Sequence, residues 1–145
     1  MVHILKRLSN EHLGPKSEEI KIDCQLTVEH IMPREWIPNW PLPTGLSGMN
    51  LQELSVAQTG DTRAAATHRR DAAVQTFGNL TILTQPLNSA LSNAAWKEKR
   101  PELLKWSLLP INQALHSFEV WDENAIEKRG QALLDQALRI WPNSL

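Results

Sequence analysis

Thr27-Val28-Glu29-His30-Ile31-Met32-Pro33 and, well downstream, Phe77-Gly78-Asn79-Leu80-Thr81-Ile82-Leu83-Thr84 decide the fold of this chain. Residues 25–31 alternate polar and apolar side chains with β-branched content, which predicts a strand. Pro33 has no N–H to give a ladder and ends it. Gly78-Asn79 reads as a turn, and Leu80–Leu83 as a second strand. Thr84 suits the N-cap of a helix with Pro86 in its first turn, predicted to continue through Leu87, Leu91, Ala94, Ala95 and Trp96. The fold class is therefore α+β, mostly helical, with a hairpin-plus-helix embedded in a helical domain. Two strands are not stable alone, so the pair must lean on its helix and on the C-terminal helices.

Outward from that centre the signals are helical. Ile4, Leu5, Leu8 and His12 have helical spacing over 2–13, and Gly14-Pro15 ends the run. Pro38, Pro41 and Pro43 with Gly45, Gly48 and Gly60 make 34–60 a long irregular connection, the kind that is functional or mobile. Asp61 can cap a helix reaching about Phe77. Pro101 reads as the start of another helix carrying Leu103, Leu104 and Leu108. A last helix over about 122–141 aligns Ile126, Leu133, Leu134, Ala137, Leu138 and Trp141 on one face, and Pro142 stops it. The organisation expected is a single domain over 1–145, with the strand-strand-helix core at about 25–100 and a helical part at about 101–142.

Composition bounds the chemistry. The 145 residues hold 15 Lys and Arg against 16 Asp and Glu, so no global field attracts a polyanion. Affinity for nucleic acid must come from a local basic patch or from a partner. A single cysteine, Cys24, excludes an internal disulfide and multi-cysteine zinc sites, and reads as a small buried apolar residue. No apolar run has the length of a membrane span, and the N-terminus lacks a secretory stretch. A reducing, cytoplasmic setting in a prokaryotic cell is expected. Of the six tryptophans, Trp36 and Trp40 should pin the proline-rich connection. Trp96, Trp106, Trp121 and Trp141 sit at helical positions and should be core.

The polar residues around the two strands suit phosphodiester hydrolysis. A His at a strand end, an Asn opening a second strand and a further Asn on the following helix is the layout of an HNH, or ββα-metal (His-Me finger), nuclease. An imidazole with a pKa of about 6.5 is mostly neutral at pH 7 and can take a proton from water. A hard divalent ion needs only a few oxygen ligands and keeps several waters, and Glu29 and Asn88 offer such oxygens. Strand neighbours Glu29 and His30 point to opposite faces, so they share one site only if the strand ends or twists there. Asn79 is placed to hydrogen-bond the segment carrying His30. Arg69, Arg70, Lys97, Lys99 and Arg100 read either as solvated helix faces or as grips on phosphate.

TVEHIMP, then FGNLTILTQPLNSALSNAAWKEKR, then WDENAIEKRGQALLDQALRIWP, resembles the C-terminal HNH domain of GmrSD-type restriction endonucleases, modification-dependent (type IV) phage-defence enzymes. The resemblance spans about Leu5 to Pro142. It implies an endonuclease acting on modified DNA with Mg²⁺ or Mn²⁺. It assigns His30 as general base, Asn79 as the middle member of the catalytic triplet, and Glu29 and Asn88 as metal ligands. Asn93, Lys97 and Arg100 would follow as polar residues facing DNA, joined by Arg69 and Arg70. The zinc-binding cysteines of other HNH subclasses correspond to Thr84 and Leu87, so no structural zinc is expected. Such enzymes carry an N-terminal NTPase or sensor domain, and no phosphate-loop motif occurs here; a separate domain or subunit would supply it. The alternatives are a nuclease-inactive DNA- or partner-binding module, and an RNA-directed nuclease.

Overall fold

The computed structural model describes residues 1–18 and 21–142. Helix α1 (Val2–Glu11) is followed by strand β1 (Leu26–His30), short helix α2 (Leu51–Ser55) and helix α3 (Thr62–Val74). A 3₁₀ turn (Phe77–Asn79) leads into strand β2 (Leu80–Thr84), which passes directly into helix α4 (Gln85–Leu91). Helix α5 (Trp96–Trp106), helix α6 (Pro110–Gln113), a second 3₁₀ turn (Ala114–Ser117) and helix α7 (Glu123–Ile140) complete the order. The class is α+β, as expected.

The two strands pair antiparallel, with Val28 opposite Ile82, Glu29 opposite Thr81 and His30 opposite Leu80. Successive residues of β2 point to opposite faces, and the ribbon separates two apolar clusters. Ile82 joins Leu26, Leu5, Leu8, Ile111 and Leu133 on one side. Leu83 joins Trp36, Trp40, Leu91, Trp96, Leu103, Trp121 and Ile126 on the other. The ribbon thus gains the support that two strands need. Polar crosslinks add to it. Asn112 accepts a hydrogen bond from the Thr81 hydroxyl and donates to the Ile82 carbonyl at 2.9 Å, and all of these groups are buried.

Asp61 caps α3 as expected, accepting from the N–H groups of Arg63 and Ala64. The connection from Ile31 to Asn79 is not structureless. Asn50 and Glu53 form a reciprocal capping box that starts α2. Trp36 donates its indole N–H to Asp71 at 2.8 Å, and Trp40 donates to the Ala94 carbonyl at 3.1 Å. Both rings are buried, so they pin the connection as expected. Gly48 lies so close that a Cβ would stand 2.1 Å from the Trp36 ring. Arg63 binds the carbonyls of Ser47 and Gly48, fastening the same segment to α3.

Several expectations are corrected. The helix from Gln85 does not run to Trp96. It ends at Leu91, where Ser92 takes φ 36°, a left-handed backbone that a non-glycine residue adopts only when its surroundings enforce it. Pro101 lies inside α5 rather than at its start. Trp106, Trp141, Leu134 and Leu138 are exposed, so the last helix buries a narrower face, centred on Ile126 and Leu133. Cys24 is exposed as well.

Candidate metal and phosphodiester site

The centre of the site is a small polar depression of about 270 Å³ beside β1 and α4, lined by Glu29, Asn88, Ser89, Ser92 and Asn93. Thr27 and Glu29 share one face of β1, and this face looks onto α4 and α5. Thr27 donates its hydroxyl proton to the Leu83 carbonyl, so its lone pairs are what Asn88 meets. Asn88 accordingly presents its NH₂ there, at 3.2 Å. Among the described residues nothing donates to the amide oxygen of Asn88, which is open to another partner.

Glu29 is held by a residue that the sequence read only as a solvated helix face or a grip on phosphate. Lys99, on α5, is 1% exposed. Its ammonium donates to Glu29 Oε1 at 3.1 Å, to the His30 carbonyl at 3.2 Å and to the Ile31 carbonyl at 3.0 Å. Burial lowers the Lys99 pKa, and the Glu29 carboxylate works against that shift by charge and by hydrogen bonding. Lys99 is neither a solvated helix residue nor free to grip phosphate.

His30 is the last residue of β1 and is half-buried. It is not among the residues that line the depression, but its carbonyl shares the Lys99 ammonium with Glu29, and its imidazole is close enough to feel the charges of both. The His30 pKa is lowered, first by burial and then by the positive charge of Arg34. Glu29 opposes the shift and Lys99 adds to it. The imidazole is therefore neutral at pH 7.

Asn79 is fully buried, and all four of its amide valences are used. Its oxygen accepts from the Met32 N–H at 2.9 Å and from the Trp121 indole at 3.1 Å. Its NH₂ donates to the carbonyls of Met32 at 2.8 Å and Val74 at 3.0 Å. The Asn79 carbonyl takes the Ile31 N–H at 2.9 Å. Asn79 is thus a clamp on the two residues after His30, the segment it was expected to hydrogen-bond. It has no hydrogen-bonding capacity left for substrate.

The expected DNA-facing residues separate. Arg70 is 2% exposed and bound to Glu123, to the carbonyls of Trp40 and Pro41, and against the Trp36 ring. It is a buried crosslink, so its expected contact with DNA is withdrawn. Arg69 is exposed, donates to Asn124 at 2.7 Å, and lines a separate apolar groove with Ile4 and Leu134. Arg100 is half-buried and donates to the His116 carbonyl at 2.6 Å. Lys97 is exposed on α5. Asn93 belongs to the depression itself, and its carbonyl accepts from Asn39 at 3.0 Å.

The donor set can be tested against a metal. Among the described residues no group of three or more His, Cys, Asp or Glu side chains is poised to hold one. A closed zinc site of nitrogen and sulfur ligands does not fit. One carboxylate beside amide and hydroxyl oxygens does fit a hydrated hard cation, which takes oxygen ligands and retains water.

The family model described as GmrSD restriction endonucleases, C-terminal domain, matches residues 2–136. The chain belongs to that family. No curated protein and no solved structure matches the chain. Within this GmrSD C-terminal domain, no helix among the described residues is long and apolar enough to cross a membrane.

Proposed function

We propose that this GmrSD C-terminal domain is a divalent-metal-dependent DNA endonuclease of the HNH type, with β1, β2 and α4 as its ββα-metal unit. The observation that carries the reading is the meeting of Glu29 and Asn88 at one polar depression, with the Asn88 oxygen unspent and His30 next in the chain to Glu29. Glu29 and the Asn88 amide oxygen would hold Mg²⁺ or Mn²⁺, with Asn93 beside them. When bound, such an ion supplies a positive charge that stabilises the phosphorane-like transition state and the leaving oxygen. Neutral His30 takes a proton from the attacking water. Asn79 and Lys99 hold the backbone of residues 30–32, so the imidazole keeps its position without spending binding energy on it. Lys97 supplies an exposed charge for the DNA backbone. Recognition of modified DNA, and any NTPase or sensor function, belongs to other domains or subunits of the restriction system.

Plasmid nicking tests this. His30→Ala should lower the rate by about 10²-fold or more, the usual weight of a general base. Glu29→Gln should weaken the response to Mn²⁺ with the fold intact by circular dichroism. Wild-type nicking by His30→Ala would remove the assignment. One observation favours a second reading, a nuclease-inactive binding module: Glu29 already carries a cation in Lys99. Calorimetric titration with Mn²⁺ separates the two, since a vestigial site takes up no ion. Cleavage of matched DNA and RNA duplexes distinguishes the RNA-directed alternative.

A further inference from the structure

Helix α7 turns Ile126 and Leu133 into the two cores, and a second apolar row runs along its outside. Leu134, Leu138 and Trp141 are each about half exposed. Leu134 also forms part of a groove of about 600 Å³ between α1, α3 and α7, together with Ile4, Arg69, Glu127 and Gly130. With 3.6 residues per turn, each step turns the helix by about 100°. Trp141 keeps the helical bond to Ala137, so the count extends to it. Glu127, Gly130, Gln131, Leu138 and Trp141 therefore all lie within about 60° of Leu134, whereas Lys128, Asp135 and Arg139 lie about 100° or more away. Residues 127, 130, 131 and 134 stand at i, i+3, i+4 and i+7, the corners of a hollow that takes one side chain from a facing helix. Gly130 leaves that hollow deep: a Cβ there would meet only Gly78, at 3.5 Å.

We infer that this face of α7 is a self-association surface: a second copy of the chain lays its own α7 antiparallel against it, with Leu134 on the two-fold axis. Reversing the helix about residue 134 puts position 138 of one copy opposite 130 of the other, and 141 opposite 127. Leu138 then enters the hollow over Gly130 of the second copy, and the same contact repeats at the other end, as an isologous interface requires. Trp141 brings its indole N–H to the Glu127 carboxylate of the second copy. Charge agrees with this direction. A helix is negative at its C-terminus and positive at its N-terminus. Antiparallel pairing sets the C-terminal end of one α7 beside the N-terminal end of the other, where exposed Arg69 stands in the groove wall. A parallel pair would instead set Glu127 against Glu127 and Gly130 against Gly130. Lys128, Asp135 and Arg139 stay in water. The inference does not depend on the nuclease reading, because none of these residues lines the Glu29 depression.

Sedimentation equilibrium of the full chain tests this. The weight-average mass should rise with concentration from that of one copy to that of two. Leu134→Glu sets two carboxylates against each other on the axis and should raise the dissociation constant by about tenfold or more. Leu134 is half exposed, so the fold should survive, and circular dichroism verifies it. Register is checked separately in a Cys24→Ser background. Leu134→Cys should cross-link to itself through a short bismaleimide, whereas Leu46→Cys, similarly exposed on the proline-rich connection, should not. The proposal is overturned if the mass stays that of one copy at every concentration, if Leu134→Glu associates as well as wild type, or if Leu134→Cys cross-links no better than Leu46→Cys.

Discussion

Replacing Lys99 with Met is the sharpest perturbation of this structure. The ammonium is 1% exposed and serves three acceptors, Glu29 Oε1 and the carbonyls of His30 and Ile31. Glu29 is itself 17% exposed. Met fills much of the same volume, so cavity formation adds little, and the cost is almost wholly the loss of charge and hydrogen bonds. Removing one partner of a buried ion pair costs about 3–5 kcal/mol, because the remaining charge stays desolvated. That is a large share of the roughly 5–15 kcal/mol that holds a domain together. Equilibrium urea unfolding should therefore show the unfolding free energy lowered by that amount, read as a lower midpoint at unchanged slope. The double variant Glu29→Gln/Lys99→Met should recover part of the loss, since the stranded carboxylate is gone. A divalent ion should also restore stability to Lys99→Met, because it replaces the missing cation on Glu29; at 100-fold over its dissociation constant the gain is about 2.7 kcal/mol. If Lys99→Met lost less than about 1 kcal/mol, or if the double variant were the worst of the three, the account of Lys99 as the counter-ion of Glu29 would be wrong.

Other perturbations follow from the same packing. Asn79→Asp keeps the shape but cannot donate to the carbonyls of Met32 and Val74. Each buried group left unpaired costs about 1–3 kcal/mol, so a thermal melt should fall well below wild type. Gly78→Ala and Gly130→Ala should move stability in opposite directions. A Cβ on Gly78 would stand 2.1 Å from the Ile126 carbonyl oxygen, which is backbone and cannot step aside, whereas a Cβ on Gly130 meets nothing closer than 3.5 Å. Gly130→Ala should stabilise α7 by about 0.4–1 kcal/mol through the unfolded chain, and denaturant midpoints of the two variants check the contrast. The depressed pKa of His30 fixes a pH sign. The base form is lost only below the ordinary value of 6.5, so the acid limb of nicking should fall below that pH. The same depression means that the unfolded chain protonates first, so this residue withdraws stability as pH drops from 6.5 through its folded value. An acid limb above pH 6.5 would contradict the assignment of His30.

What the residues announced and what they hid divide along a physical line. Strands, caps and the polar set around β1 were legible because their signals are local. Asp61 before a helical run, Asn79 after Gly78, and alternation through Thr27–His30 each act within a few positions. The stop at Ser92 was not legible, because Asn39 and Trp40 hold the carbonyls of Asn93 and Ala94 from a distant loop. Pro101 misled for a similar reason. It forgoes one helical hydrogen bond, and packing of Trp96 and Leu103 into the core carries the helix across it. Arg70 and Lys99 looked like surface charges because their partners, Glu123 and Glu29, are far away in the chain. Polar residues in a helical pattern do not show which of them is buried. Trp106 and Trp141 show the converse, since an aromatic at helical spacing need not face inward.

The clamp at Asn79 has a consequence for anyone who would move this motif elsewhere. Everything that names the site lies between Thr27 and Asn93, yet the indole that completes Asn79 comes from Trp121, and the guanidinium that holds the carbonyls on either side of it comes from Arg129. A graft or a truncation cut after Trp106 would carry every signature residue and lose the brace that keeps them in register. Here the unit of transfer is the motif together with its C-terminal helix.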